Sequence, residues 1–350
     1  MIKQQQHIVF ITPGFTESEN DSTTIPALQV YLKNLSHSLT DTKLTLIAFQ
    51  FPYTKQSYFW NGIEIIPLNG KNRRFKKPFI WNIALRLLKR IHQKHPIHNI
   101  HSFWIGECSM IGERFSRKHK INHLVTAMGQ DVKNNNMYVK YLKKSEATII
   151  TLSKKHQLKL WENYSLNSKI ISWFLDANLF PKPQKSTIDI IGVGSLNTIK
   201  NYTLFTKVIA QITEVYPNLK VEIIGEGELR AKLEQEIQYY NLKDTIKLVG
   251  KCSRDIVLKK MTASRILLHT STYESFGYVF LEALYAGMHI VSFDVGIADN
   301  SIEKWQTCNS KEDFVMACLT ILSDANPEKN QTLLANRLES LNAYKKLYHA

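Results

Sequence analysis

Two carboxylates, Glu274 and Glu282, stand eight positions apart in the stretch Arg265 to Asn300, and the residues around them decide what chemistry they can do. Ile266 to His269 is an apolar run closed by Thr270, Ser271 and Thr272, which predicts a buried strand ending in a polar loop. Phe276, Val279, Phe280, Ala283 and Leu284 then recur at helical spacing, with Gly287 as a C-terminal stop. A helix is therefore expected over Phe276 to Ala286 and a strand over His289 to Phe293. Glu274 falls in the loop and Glu282 inside the helix. At ~1.5 Å of rise per helical residue they are about 9–12 Å apart, the reach from a sugar ring across a diphosphate to a ribose. The helix N-terminus lies between them. Its amides near Ser275, Phe276, Gly277 and Tyr278, with the positive end of the macrodipole, suit a phosphate, and Gly277 admits a ligand close to the backbone. Glu282 sits among Phe280, Leu281, Ala283 and Leu284, where an unpaired charge is costly, and this favours a functional acid over a solvated helix face.

This Glu-x7-Glu pattern, within ESFGYVFLEALYAG, resembles glycosyltransferase family 4 (glycosyl transferases group 1), retaining enzymes of the GT-B fold. The likeness covers residues 185 to 295 firmly and the first half loosely. It implies an α/β chain of two Rossmann-like α/β/α domains facing across a cleft, with a nucleotide-diphosphate sugar as donor. By the same resemblance Glu274 is catalytic, gripping the donor sugar hydroxyls, and Glu282 holds the ribose. In the loop from Gly194 to Asn201 the family carries an arginine one residue after the glycine and a lysine five residues further, both on the donor diphosphate. Lys200 matches the lysine, and Ser195 stands where the arginine would be. Gly225-Glu226-Gly227-Glu228 resembles the family's turn beside the nucleotide.

The resemblance extends to three places in the first half. Gly14 stands where members carry a glycine pair against the donor phosphates, and the loop after it, FTESENDSTT, is acidic. Ile100 to Trp104 is similar to the family's His-x-His-Trp, with His101 and Trp104 kept and Phe103 in the second histidine position. His101 is accordingly either a catalytic group near the transferred sugar or a residue that caps a strand. Gly129-Gln130-Asp131 resembles a His-Gly-x-Asp turn with Met128 in the histidine position. A turn carboxylate such as Asp131 either orients an acceptor hydroxyl and takes its proton, or caps the turn.

The elements that must position these residues follow from periodicity. His7 to Thr12, Lys43 to Phe49, Ile63 to Leu68, Leu124 to Met128 and Ala147 to Leu152 read as strands, and Pro26 to Leu39 as a helix with Leu28, Leu32 and Leu35 on one face. From Ile188 strands and helices alternate, which implies a parallel sheet covered on both faces. Pro181 and Pro183 mark a linker. The expected domains are residues 1–184, on the acceptor side, residues 185–325, which bind the nucleotide sugar, and 326–350, whose helix (Asn330 to Leu347) crosses back to the first by resemblance.

The formal charge of +15 points to an anionic surface or an acidic substrate. From Lys71 to Lys94 there is no acidic residue, and Phe79, Trp81, Leu85, Leu88 and Ile91 alternate with Arg86, Lys89, Arg90 and Lys94. Such a helix either lies on an anionic membrane or packs on the sheet with a basic outer edge. Nucleic acid is set aside, because the segment lacks a groove-reading module and a stacking platform. Cys108, Cys252, Cys308 and Cys318 have no metal-ligand spacing and no acidic DxD pair occurs, so reduced thiols, a cytoplasmic location and no metal or other cofactor are expected. The N-terminal apolar run breaks at Pro13-Gly14 and reads as a strand, not a signal peptide. Neither Gly192-x-Gly194 nor Gly225-x-Gly227 completes a dinucleotide fingerprint.

The function expected is transfer of a hexose, with retention, to a cell-envelope saccharide or lipid-linked acceptor at the inner face of the cell membrane. A nucleotide-sugar epimerase of the same fold and a non-catalytic partner subunit are the alternatives.

Overall fold

In the computed structural model, which describes residues 5–182, 184–324 and 329–349, β-rich apolar runs become the inner strands of two sheets. Continuous burial explains their composition: Ile8, Val9, Phe10 and Ile11 have no exposed surface, as expected of strands covered on both faces.

The first unit comprises residues up to Phe174 and the segment from Arg337 onward. Its strands are β1 (Gln6–Gly14), β2 (Thr42–Phe51), β3 (Tyr58–Trp60), β4 (Ile63–Pro67), β5 (Asn99–Phe103), β6 (Asn122–Thr126), β7 (Thr148–Thr151) and β8 (Lys169–Ile170). The helices among them are α1 (Pro26–Ser38), α2 (Lys77–Lys94), α3 (Glu107–His119) and α4 (Lys154–Tyr164). The sheet order is β3-β4-β2-β1-β5-β6-β7-β8, parallel except where β3 pairs antiparallel with β4. Periodicity did not predict β3, which is three residues long. Pro26 opens α1, where its missing N–H costs nothing.

The second unit runs from Leu175 to Asn336. It contains β9 (Ile188–Val193), β10 (Val221–Ile224), β11 (Ile246–Gly250), β12 (Ser264–His269), β13 (His289–Ser292) and β14 (Trp305–Thr307). Its helices are α5 (Tyr202–Thr213), α6 (Arg230–Tyr239), α7 (Arg254–Thr262), α8 (Tyr278–Tyr285) and α9 (Lys311–Ser323). The order is β11-β10-β9-β12-β13-β14, with parallel pairing throughout. Two apolar clusters cover its faces, one around Phe205, Val208 and Phe314 and the other around Leu258, Phe280 and Trp305.

The last helix, α10 (Arg337–Tyr348), belongs to the first unit. It starts later than the expected Asn330. The units divide at Phe174 and again at Asn336, and both Pro183 and the expected boundary at 326 lie outside the described residues. Tyr344 and Tyr348 of α10 are buried against Tyr31 of α1, with the Tyr31 and Tyr344 rings 4.7 Å apart between centroids. Asn99 donates to the Tyr348 carbonyl at 2.9 Å and Asn122 to that of Leu347 at 2.8 Å, so the helix C-terminus is satisfied by strand side chains.

His101 sits inside this packing and not at a substrate face, which corrects its expected catalytic role. It has no exposed surface. Its Nδ1 bonds the Tyr348 hydroxyl at 2.6 Å and its Nε2 the Thr126 hydroxyl at 2.8 Å. Burial lowers its pKa to about 3, so the ring is neutral and ties α10 to the sheet.

Burial also lowers His7 to about 4, with its ring bonded to Thr45 and to the His95 carbonyl. Unfolded, both rings take a proton near pH 6.5, while folded they resist it. Stability therefore rises with pH across the interval from about 4 to 6.5 and is lost as pH falls through it. Each pH unit below 6.5 should remove ~1.4 kcal/mol per histidine. Urea unfolding followed from pH 7.5 to 5.5 checks this, and His101→Gln should flatten the slope by about that amount per unit.

Candidate active site

In a doubly wound sheet, ligands bind beyond the carboxyl ends of the two adjacent strands whose connections leave in opposite directions. In the second unit those strands are β9 and β12, since the order runs outward to β10 from one and to β13 from the other. The loops that follow them contain Lys200 and Glu274, so the topology alone brings these two residues together.

The β9 loop is shaped by its own side chains. Asn197 accepts from the amides of Ile199 and Lys200 at 3.1 and 3.2 Å, forming a turn that ends with Asn201 in the left-handed region. Thr270 donates to the carbonyls of both Lys200 and Asn201, and the Thr272 amide donates to Ile199 at 2.9 Å. The two loops are thus laced into one surface. Gly194, at φ +152°, leaves the Lys200 stem its path: a Cβ there would lie 3.0 Å from Lys200 Cε. A Cβ on Gly225 would lie 1.9 Å from the Gly194 carbonyl oxygen, so both glycines serve the close stacking of these turns.

Lys200 Nζ donates to Glu274 Oε1 at 2.5 Å, and His269 Nε2, at the end of β12, reaches the same oxygen at 3.0 Å. Burial pushes the Glu274 carboxyl up, but the His269 hydrogen bond and the Lys200 charge outweigh it and hold the pKa at about 2. Burial and the adjacent Lys200 lower the His269 pKa, so the imidazole is neutral and donates its Nε2–H. Nearby, burial and the Glu274 charge push the Tyr202 phenol up. The result is an anionic carboxylate with one fixed neutral donor and one cation on a flexible stem. His269 was read only as the last residue of a strand, and the signal that it matters is its place just before a polar loop with an acid.

The helix carrying Glu282 begins at Tyr278, not at Phe276. Gly277 precedes it in the left-handed region at φ +79°, and Phe276 is buried beneath. The Phe276 carbonyl accepts from Ile297 at 3.0 Å, and Gly296, at φ +61°, lets that strand-end loop pass over it. Glu282 is buried and ion-paired with Arg254 at the start of α7, a residue that sequence reading did not single out. Burial lowers the Arg254 pKa to about 10, and its guanidinium lies 6.0 Å from the Tyr278 ring centroid. The charge expected to need a partner thus has one, 28 positions upstream in the sequence.

The remaining candidates lie in the first unit. Asp131 accepts from the amides of Ile105 (2.7 Å), Gly129 (2.7 Å) and Met128, and so clasps two loops together. Of its two readings the capping one is built into the structure, and action as a base would break these bonds. Gly14 ends β1, its would-be Cβ 3.4 Å from Phe51. The acidic loop after it closes on itself, with Asp21 taking the hydroxyls of Thr23 and Thr24 at 2.8 and 2.6 Å. Trp104 sits at φ +65°, an unusual backbone for a bulky residue, held there by its amide on Thr126 at 2.9 Å. The four cysteines are all free thiols.

Residues 177–337 match the family described as glycosyl transferases group 1. The chain is 33% identical over 138 residues to the gpi3 subunit of phosphatidylinositol N-acetylglucosaminyltransferase of Schizosaccharomyces pombe, covering 37% of this chain and 30% of that protein. It spans about a third of the length of the first curated relatives it matches, 30%, 36% and 28%. The structure is similar to sucrose-phosphate synthase of Thermosynechococcus elongatus, with a TM-score of 0.76, 17% identity and coverage of 98% and 96%. It is also similar to HepE of Anabaena, a structure in complex with UDP-glucose, with a TM-score of 0.68, 15% identity and coverage of 91% and 90%. At these identities the structural likenesses show the fold, which is GT-B.

The Arg254–Glu282 pair makes a prediction independent of any ligand. Arg254→Ala leaves a carboxylate buried without its cation and should cost about 3–5 kcal/mol, whereas Arg254→Met with Glu282→Leu should recover most of that loss. Thermal or urea unfolding of the three proteins reads the difference.

Proposed function

From the match of residues 177–337 to the glycosyl transferases group 1 family, we propose that the chain is a retaining glycosyltransferase that takes a hexose from a nucleotide-diphosphate sugar. The observation that carries this reading is the convergence of Lys200 and His269 on Glu274 at the β9/β12 switch point, with Glu282 about one turn into the helix that follows. In this reading the donor diphosphate lies over the Gly194 and Gly225 turns and the start of α8, along Ser275, Phe276, Gly277 and Tyr278. Lys200 exchanges Glu274 for the diphosphate, and the freed carboxylate, still held by His269, takes the donor sugar hydroxyls. Glu282 accepts the ribose hydroxyls while Arg254 stays its ion-pair partner.

As the bond between the anomeric carbon and the diphosphate breaks, negative charge grows on the leaving group. Lys200 and the α8 dipole neutralise it, so the reading requires no metal. The first unit handles the acceptor, a cell-envelope saccharide or a lipid-linked one at the inner face of the membrane, and its basic segment supports this choice. None of the helices among the described residues is long and apolar enough to cross a membrane.

A panel of nucleotide sugars screened by thermal shift should give one that stabilises the chain. With that donor, Lys200→Ala and Glu274→Gln should fold normally and lose about 10²–10³ in turnover. Near-parental transfer by either variant sinks its assigned role. Conversion of the donor into a second nucleotide sugar without acceptor would mark an epimerase, and no donor turnover at all a non-catalytic subunit. EDTA should leave the rate unchanged.

A further inference from the structure

The basic segment after β4 divides into a packed part and an exposed part, and the division is not the one that its periodicity predicts. Along α2, Ile80, Ala84 and Leu88 are buried in the core of the first unit. Trp81 packs beside them and donates its indole N–H to Glu107 at 2.7 Å. Of the apolar residues expected to meet a membrane, Leu88 is buried and Trp81, Leu85 and Ile91 pack against the core, which leaves Phe79 uncovered.

What remains outside is the entry to the helix. Phe75, in the 3₁₀ turn Arg74–Lys76, is 98% exposed, and Phe79, four positions on, is 65% exposed. One ring lies in the turn that leads into α2 and the other in the first turn of α2, so the entry to the helix presents two exposed apolar side chains. Lys71, Arg73, Arg74 and Lys76 surround them in sequence, and all four are exposed. The acids of this sheet edge are largely engaged: Glu107 by Gln50 and Trp81, Glu19 by the Asn61 amide, and Asp21 by its threonines. Glu17 and Glu19 are exposed, and Glu64 of β4 is half-buried. Two bare rings beside a run of exposed cations are a poor surface for water and a good one for a bilayer with anionic headgroups. There the rings enter the acyl boundary and the cations stay among the phosphates.

We propose that Phe75 and Phe79 are a membrane wedge, docking the first unit on an anionic lipid surface through the turn before α2 and not through the face of α2. This deepens the proposed membrane-side acceptor and rests on that reading for its purpose, while the surface stands on its own geometry.

Flotation with the full chain tests it, using vesicles of phosphatidylcholine alone and vesicles of equimolar phosphatidylglycerol and phosphatidylcholine. The parent should bind the anionic vesicles only, with affinity falling as salt rises. Phe75→Ser with Phe79→Ser should weaken binding by about 100-fold, and Arg73→Gln or Arg74→Gln by about five-fold each. Both changes are on the surface, so melting temperatures should not move. Parental binding by the double variant, equal binding to neutral vesicles, or binding to RNA in place of lipid overturns the proposal. Donor hydrolysis in vesicle-free solution is read in parallel. Its absence, with vesicle binding intact, counts against the enzyme reading and leaves the wedge standing.

Discussion

The carboxylate of Glu274 is the constraint on which the second unit's site depends. A charge that deep persists only when compensated, and unit charges ~4 Å apart at an effective dielectric near 20 interact by about 4 kcal/mol. Lys200 and His269 provide that compensation on a single oxygen. The two contributions differ in kind. His269 sits on the rigid end of a strand and fixes direction, while Lys200 reaches in on a mobile stem from a loop tied down by Thr270 and Thr272. An acid held by one permanent and one exchangeable partner can stay charged in the empty protein and still present itself to a ligand.

Glycine makes the approach of these loops sterically possible. Gly194 leaves the lysine its channel, Gly225 lets two turns stack at backbone contact, and Gly296 lets a third loop close over the carbonyl before α8. In each case a methyl group would strike backbone or a side chain that the site uses, so exchange at these positions would move charged groups. The Arg254–Glu282 pair is the complementary device. It gives a second acid, buried inside an apolar helix, a cationic partner.

In the first unit, buried polar groups serve assembly. His101, Tyr348, Tyr31 and Thr126 form a connected network that docks the last helix on the sheet, and Asp131 binds two loops by their amides. Each group is satisfied by a specific partner, so the network rewards one arrangement of the chain and penalises slippage. The same unit leaves Phe75 and Phe79 uncovered beside a basic turn, an apolar surface that the packing of α2 does not use.

The amino-acid sequence alone determined most of the elements and singled out the second unit's acids as candidates. Apolar runs, helical spacing and the stop at Gly287 are local, and local preferences survive into the fold, whereas β1 runs on through Pro13 and the units divide at Phe174 rather than at the prolines. Glu274, Glu282 and Lys200 were legible because each lies in a loop or helix whose context is written within a dozen residues. The tertiary structure decided everything that depends on which strands are neighbours. It set His269 against Glu274 and Arg254 against Glu282, turned His101 inward, and chose which face of α2 was covered. These pairings join residues from different elements, and periodicity says which side of an element is apolar but not what will pack against it. The short antiparallel β3 escaped for the same reason, since three residues carry no period and its existence rests on pairing with β4.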